Sequence, residues 1–351
     1  MRKTAELSDD YRSRTYLSAT ESAKYLGISV DELHRLVDGS AIPASVSASG
    51  QMRFSLVALK HYEGTVPPRP EPLPSIPRVS SIPAGETMQR VVRGDSAEMK
   101  ELHDGSVNLM ITSPPYFDAK MYSRESVKGD LGGIHDVDEW FSSISMVWKE
   151  VYRVLQPGRK AFVNIMNLPV RLEGGGFKSL NLVGRTVDVL EEIGFVFKRD
   201  IIWHKTNSVR AHFGTYPYPG GILVNNSHES ILEFEKPAPA GYRKYAHLTS
   251  EQKEASKLDR DFWLSLKNSD VWTMHPEGSG DRRRHVAPFP FELPQRLIRA
   301  YSYVGETVLD PFLGSGTTLV AAAKLRRNGI GYELMGDIAS LAVDAVKKSV
   351  V

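Results

Sequence analysis

The sequence contains no cysteine. That removes disulfide frameworks, thiolate zinc sites, iron–sulfur clusters and every mechanism in which a cysteine attacks its substrate. It also has little charge imbalance. Lysine and arginine total 44 against 42 acidic residues, leaving +2 over 351 residues, so global charge names no partner, although basic residues cluster locally at Arg282, Arg283 and Arg284. No apolar run approaches the ~20 residues that span a bilayer, and residues 1–16 are too polar for a secretory leader. The expected compartment is the cytosol, with the protein acting close to the nucleoid. No internal repeat is visible. What is present is an ordinary share of apolar (41%) and charged (25%) residues, the composition of a globular protein long enough for two domains.

Residues 1–15 read as a disordered arm and 16–63 as a small separate unit. Within it, 20–27 looks like a short capped helix ended by Gly27, and 29–37 like a second capped helix after the tight turn at Ile28 and Ser29. Ile42 to Phe54 then suggests a hairpin or wing, closed by a helix over 55–61. Two helices joined by a turn, followed by a wing, is the winged helix-turn-helix arrangement, whose second helix would bring His34 and Arg35 to DNA. This segment resembles the MerR and excisionase type of domain. A three-helix protein-interaction module is the competing reading. Residues 64–86 are crowded with proline and read as an extended linker.

From 87 to 351 the pattern alternates. Strands are expected at 89–93, 107–111, 161–166, 195–197, 200–203 and 329–332, and helices between Ser96 and Val107, over 140–155, 180–193, 293–301 and 319–325. This is the rhythm of a Rossmann-like, doubly wound α/β sheet. Residues 236–284 lose it and read as an insertion approaching the DNA major groove, with Arg282, Arg283 and Arg284 on phosphates or guanine edges. The loop 117–133, carrying Lys120 and Arg124, is long enough to be functional.

Two stretches carry chemistry. The strand 107–111 runs into Thr112-Ser113-Pro114-Pro115-Tyr116. Two prolines fix φ and supply no N–H, so the turn offers bare carbonyls beside the Ser113 hydroxyl, with an aromatic face adjacent. Acceptors plus a stacking platform suit a planar heterocycle bearing an amino group. The second stretch is a strand, the turn Asp310-Pro311-Phe312-Leu313-Gly314-Ser315-Gly316-Thr317-Thr318, a helix, and a strand ending at Glu333. That layout binds an adenine nucleoside, the acid taking the ribose hydroxyls. No lysine follows the glycines and the third spaced glycine is missing, so triphosphates and dinucleotides fit poorly. S-adenosylmethionine, with ribose and adenine but no phosphate, fits.

Together these stretches resemble the beta class of amino-methylating DNA methyltransferases, in which a Ser/Asp-Pro-Pro-Tyr motif precedes the cofactor motif. The likeness covers about 88–337 and includes Arg153-Val154-Leu155, Pro157-Gly158, Ile201-Ile202-Trp203-His204-Lys205 and Ser227-His228-Glu229. It implies that Ser113, Pro114, Pro115 and Tyr116 grip a flipped base. It implies further that Asp310, Pro311, Phe312, Gly314, Ser315, Gly316, Thr317 and Thr318 form the cofactor loop. Glu333 would hold the ribose, Asp95 and Ser96 would meet the adenine, and Pro288 with Phe289 would close the pocket. The chain departs from the family's frequent His-Pro-Ala at His285-Val286-Ala287. The resemblance implies double-stranded DNA as substrate, allows a cognate restriction endonuclease as partner, and calls for no metal.

Carbon-5 methylation of cytosine is excluded, because it needs a cysteine adduct. In the resembling family serine at this place goes mainly with cytosine and aspartate mainly with adenine, so N4-methylcytosine is expected, with N6-methyladenine as the alternative. A non-catalytic DNA-binding regulator on the same scaffold, or methylation of RNA or of a protein amide, are the readings of other classes.

Overall fold

The structure, a computed structural model, describes residues 16–26, 28–38, 42, 44–46, 52–55, 59, 77–115, 117, 129–134, 136–171, 177–206, 224–276 and 289–350. The chain divides into two compact units, Met1–Pro72 and Leu73–Val351.

The front unit contains β1 (Tyr16–Ser18), α1 (Ala19–Leu26), α2 (Val30–Asp38), β2 (Ala44–Val46) and β3 (Met52–Ser55). The Ser18 backbone N–H donates to the Glu21 carboxylate (2.9 Å), and the Glu32 N–H donates to Ser29 Oγ (3.1 Å), so side chains satisfy the helix starts. The three strands pair antiparallel in the order β1-β3-β2 over a core of Leu17, Ala23, Leu33, Ile42, Phe54 and Leu59. On α2, Arg35 is exposed and His34 half-buried. Of the closing helix expected over 55–61, only Ser55 and Leu59 are described.

The second unit runs β4 (Val79–Ala84), β5 (Thr87–Arg93), β6 (Val107–Thr112), α3 (Val137–Val154), β7 (Leu155–Ile165), β8 (Leu168–Arg171), β9 (Phe177–Leu180), α4 (Leu182–Ile193), β10 (Val196–Lys205), β11 (His228–Glu235), α5 (Ser250–Ala255), α6 (Arg260–Asn268), β12 (Val271–Met274), α7 (Glu292–Tyr301), β13 (Thr307–Asp310), α8 (Thr317–Lys324), β14 (Asn328–Glu333) and α9 (Gly336–Ser349). Among the described residues, nine strands form one sheet in the order β12-β10-β11-β7-β6-β13-β14-β5-β4. All run parallel except β11 and the edge strand β4, so the sheet is mixed. Helices cover both faces. On α3 the buried stripe Trp140, Ile144, Val147, Trp148, Val151 and Val154 recurs at helical spacing and seats one face. Burial of each such side chain stabilises by roughly 1.5–3 kcal/mol. Leu293, Leu297 and Ile298 of α7 pack on the other face.

The strand ends define two edges. At the back edge, Arg159 and Glu306 form a fully buried ion pair, Arg159 Nε donates to the Asn108 carbonyl (2.9 Å), and His247 Nε2 contacts Glu306 (3.0 Å). Val304 N donates to Ser256 Oγ (2.8 Å) there, and Gln252 Nε2 donates to the Val304 carbonyl (3.1 Å). The first part of the expected 236–284 insertion therefore packs at the edge opposite the C-terminal strand ends. Its later part contains β12, a strand of the main sheet aligned with Ile202–Lys205. Residues 277–284, with Arg282, Arg283 and Arg284, lie outside the described residues.

Two further expectations change. The proline-rich linker ends sooner, because Val79–Ala84 pairs with β5; an edge strand tolerates Pro83, which has no N–H to donate. No helix forms between Ser96 and Val107. Met99 and Leu102 are buried three residues apart, which imitates helical spacing, but α3 captures their backbone. Arg153 donates to the Met99 and Leu102 carbonyls (both 3.0 Å), and Met99 N donates to Glu150 (2.8 Å).

Candidate active site

A cavity of about 510 Å³ opens where β5, β14, β13, β6, β7 and β10 end. Beneath it lies Asp310, fully buried at the end of β13. Its carboxylate accepts from Thr112 Oγ1 at the end of β6 (2.6 Å), from Thr318 Oγ1 in the first turn of α8 (2.6 Å) and from Phe312 N (3.1 Å). One side chain thus ties the Ser-Pro-Pro turn to the glycine loop. Burial pushes Asp310 up to about 6, against the lowering effect of these three donors. The loop itself is shaped by glycine. Gly316 has φ +94°, and a Cβ there would lie 3.0 Å from the Ala342 Cα of α9, so no side chain fits. Phe312 is fixed from the other face by the edge of Trp148, with ring centroids 5.9 Å apart.

At the end of β14, Glu333 accepts from Gly314 N (3.0 Å) and Met335 N (2.9 Å). Burial pushes it up to about 7. The neighbouring strand end is held alongside, since Gly94 N donates to the Glu333 carbonyl (3.0 Å), and this brings Asp95 and Ser96 into the same wall. Gly129 passes so close to Asp95 that a Cβ would sit 2.7 Å from its carboxylate oxygen.

On the other side, Ser113 Oγ donates to the Asn164 carbonyl (3.1 Å), which leaves its lone pairs as acceptors for whatever enters. Asn164 Nδ2 donates to Glu229 (2.5 Å), and Glu229 pairs with Lys205 (2.5 Å). Among the described residues, the charged side chains lining the cavity are Asp95, Asp130, Glu229, Glu333 and one cation, Lys205. Lys205 is paired with Glu229, while Asp95, Asp130 and Glu333 stand at the opposite end, which favours a cationic nucleoside there over one bearing phosphates.

A DNA methylase family pattern of the N6/N4 type matches residues 107–344. The chain belongs to this family. It is 35% identical over 268 residues to the type II methyltransferase M.MthZI of Methanothermobacter thermautotrophicus, covering 71% of this chain and 74% of that one. It is 35% identical over 275 residues to M.MjaI of Methanocaldococcus jannaschii, covering 71% and 88%. Among solved structures it is similar to a DNA modification methylase of Thermus thermophilus, TTHA0409, complexed with S-adenosyl-L-methionine, with 32% identity, TM-score 0.60, and coverage of 74% of this chain and 93% of that one. The cytosine-N4-specific PvuII DNA methyltransferase shares the fold, with 21% identity and TM-score 0.51.

Of the positions expected from sequence in this methylase, Asp95, Ser96, Ser113, Pro114, Pro115, Phe289, Pro311, Phe312, Gly314, Ser315, Thr317 and Glu333 line the one cavity. Asp310 and Thr318 are buried beneath it, and Gly316 packs on α9. Tyr116, Lys120, Arg124, Arg282, Arg283, Arg284 and Pro288 lie outside the described residues. His34 and Arg35 belong to the front unit. Sequence reasoning assigns no role to Lys205, Glu229 or Asn164, although Lys205 and Glu229 fall within family-like segments. The available signals are the charges of Lys205, just after the apolar run 201–203, and of Glu229, just before 231–232, and the polar Asn164 within the apolar run 161–166.

Proposed function

We propose that this methylase transfers a methyl group from S-adenosylmethionine to the N4 amino group of a cytosine flipped out of duplex DNA. When bound, the cofactor supplies an electrophilic methyl on a sulfonium. Glu333 takes the ribose hydroxyls, the loop 310–318 lines the methionine end, and Asp95 and Ser96 face the adenine. The observation that carries methylation of an amino group is the Ser113 hydroxyl, donating to Asn164 and therefore an acceptor toward the cavity; cytosine is favoured because serine at this place goes mainly with cytosine in the resembling family. With the Pro114 carbonyl it would hold both amino hydrogens, favouring a pyramidal nitrogen whose lone pair points at the methyl group. Tyr116 would stack on the base. Proton loss follows transfer, because a serine is no base at neutral pH while the methylated amino cation is acidic. The front unit acts as a winged helix-turn-helix that adds affinity for DNA. N6-adenine methylation uses the same acceptors and is the second reading.

Incubation with unmethylated DNA and S-adenosylmethionine, followed by digestion and mass spectrometry of the nucleosides, should yield N4-methyldeoxycytidine. N6-methyldeoxyadenosine would overturn the base. Neither product, with cofactor bound, would overturn DNA as the substrate.

Glu333 gives a pH test. Its raised pKa means that the free protein binds more protons there than the unfolded chain does. The stability it contributes is present at low pH and lost as pH rises through about 7. A diol and a sulfonium favour the ionised form, so cofactor affinity should fall as pH drops below about 7. Binding near that pH should release roughly half a proton. Calorimetry in buffers of different ionisation enthalpy reads the release, and Glu333→Gln should abolish it. Proton uptake by the wild type would sink the assignment.

A further inference from the structure

We propose that Lys205 reads the ring nitrogen beside the target amino group, and that Glu229 is the positioning residue that aims it. The inference rests on the amino-methylation reading of the Ser113 site and adds a second half to its recognition of the base.

Lys205 ends β10, and Glu229 sits on the antiparallel neighbour β11, where the register sets Trp203 opposite Glu229. Both side chains line the cavity that contains Ser113. Glu229 is buried and takes one ammonium hydrogen at 2.5 Å, and the sulfur of Met166 stands 4.0 Å from the same nitrogen. An ammonium has three hydrogens, so a donor remains for the cavity. Lys205 is also the only cation on the described cavity wall, and every other charged group there is an acceptor.

Asn164 connects this pair to the serine. Its carbonyl accepts from Ser113 Oγ (3.1 Å) and its side-chain amide donates to Glu229 (2.5 Å). One residue therefore sets the spacing between an acceptor for the amino group and a donor beside it. On cytosine the amino group adjoins N3, and on adenine it adjoins N1, both ring nitrogens with a free lone pair. Guanine and thymine present an oxygen where the acceptors wait and an N–H where the ammonium waits. An acceptor and a donor held side by side thus admit amino bases and refuse keto bases, without any contact to the rest of the ring.

The test replaces the ring nitrogen by CH. After the methylated site has been mapped with wild-type enzyme, duplexes carry the natural base or its deaza analogue at that position: 3-deazacytosine, or 1-deazaadenine if adenine is the target. Wild type should lose about 10–100-fold in kcat/KM on the analogue, the range for a buried donor left without its acceptor. Lys205→Met should lose a similar factor on the natural base and nothing further on the analogue, with S-adenosylmethionine affinity unchanged. Lys205→Arg should recover part of the activity. Glu229→Gln, which keeps the shape but not the charge, should raise KM for DNA and weaken the deaza discrimination. Independent penalties from the substitution and the analogue would overturn the proposal, as would wild-type indifference to the analogue, which needs no variant to fold. Failure of the wild type to methylate natural DNA at all is a different result, and overturns the reading beneath.

Discussion

Asp310→Ala is expected to disable both halves of the site at once. The substitution leaves the buried Thr112 Oγ1 and Thr318 Oγ1 and the part-buried Phe312 N without their common acceptor. A buried donor that loses its partner costs ~1–3 kcal/mol, and hydroxyls can turn to recover some of it, so a loss of ~3 kcal/mol and several degrees in unfolding temperature is expected. Turnover should fall further, by about 100-fold or more, because the loop proposed to hold the cofactor and the turn proposed to hold the base lose their shared register. Asp310→Asn separates the two effects. Its amide is neutral and keeps one acceptor, so the fold should survive with activity still reduced. The pH dependence of stability gives a check on sign. Burial pushes Asp310 up from its ordinary value of 3.8 to about 6, so it favours the fold at low pH and this contribution is lost as pH rises through about 6. The Asn variant should lack that decline. An Asp310→Ala protein with wild-type activity would remove Asp310 from its role as a tie between the strand ends.

The second large effect concerns Ser113→Ala. The change removes a partly exposed hydroxyl and one hydrogen bond, so stability should move by less than ~1 kcal/mol. Cofactor affinity should stay within about threefold, since Ser113 lies on the base side. If Ser113 grips the reacting amino group as proposed, its loss should lower kcat by ~100-fold, the scale for removing one preorganised group at the reaction centre. Parallel measurement of kcat and of S-adenosylmethionine binding decides it; a rise in DNA KM with unchanged kcat would make Ser113 a binding contact only. Ser113→Asp is not expected to be a simple exchange of base preference. A carboxylate there would face the Asn164 carbonyl, which now accepts from the serine. The site wants a group that donates inward and accepts outward, and a hydroxyl does both.

Much of the site was legible because its residues are contiguous. Ser113 to Pro115 and Asp310 to Thr318 each form one turn, and Gly316 needs a positive φ that short-range sequence can announce. The long stripe on α3 was legible for the same reason. The Lys205–Glu229 pair was not, because it exists only through the β10–β11 register, and nothing local says that β11 runs backwards. The expected helix after Ser96 failed for a related reason: Arg153 and Glu150, some fifty residues away, take the backbone groups that a helix would have used. Strand β12, four residues long among charged helices, carried too short a pattern to stand out from an insertion.

The reversed direction of β11 also sorts the chain's freedom to vary. Because β10 ends and β11 begins at the cleft, the connection that leaves at Thr206 and returns by His228 has both its described ends on the cavity side of the sheet. Because β11 ends at the far side, residues 236–259 start there, among Arg159, Glu306 and Val304. Changes of length in the first connection are then expected to be felt at the cleft, where both of its described ends stand. A reporter or tether grafted in the exposed part of the second is then expected to leave the site of modification unaltered, since that segment stands on the side away from the cavity.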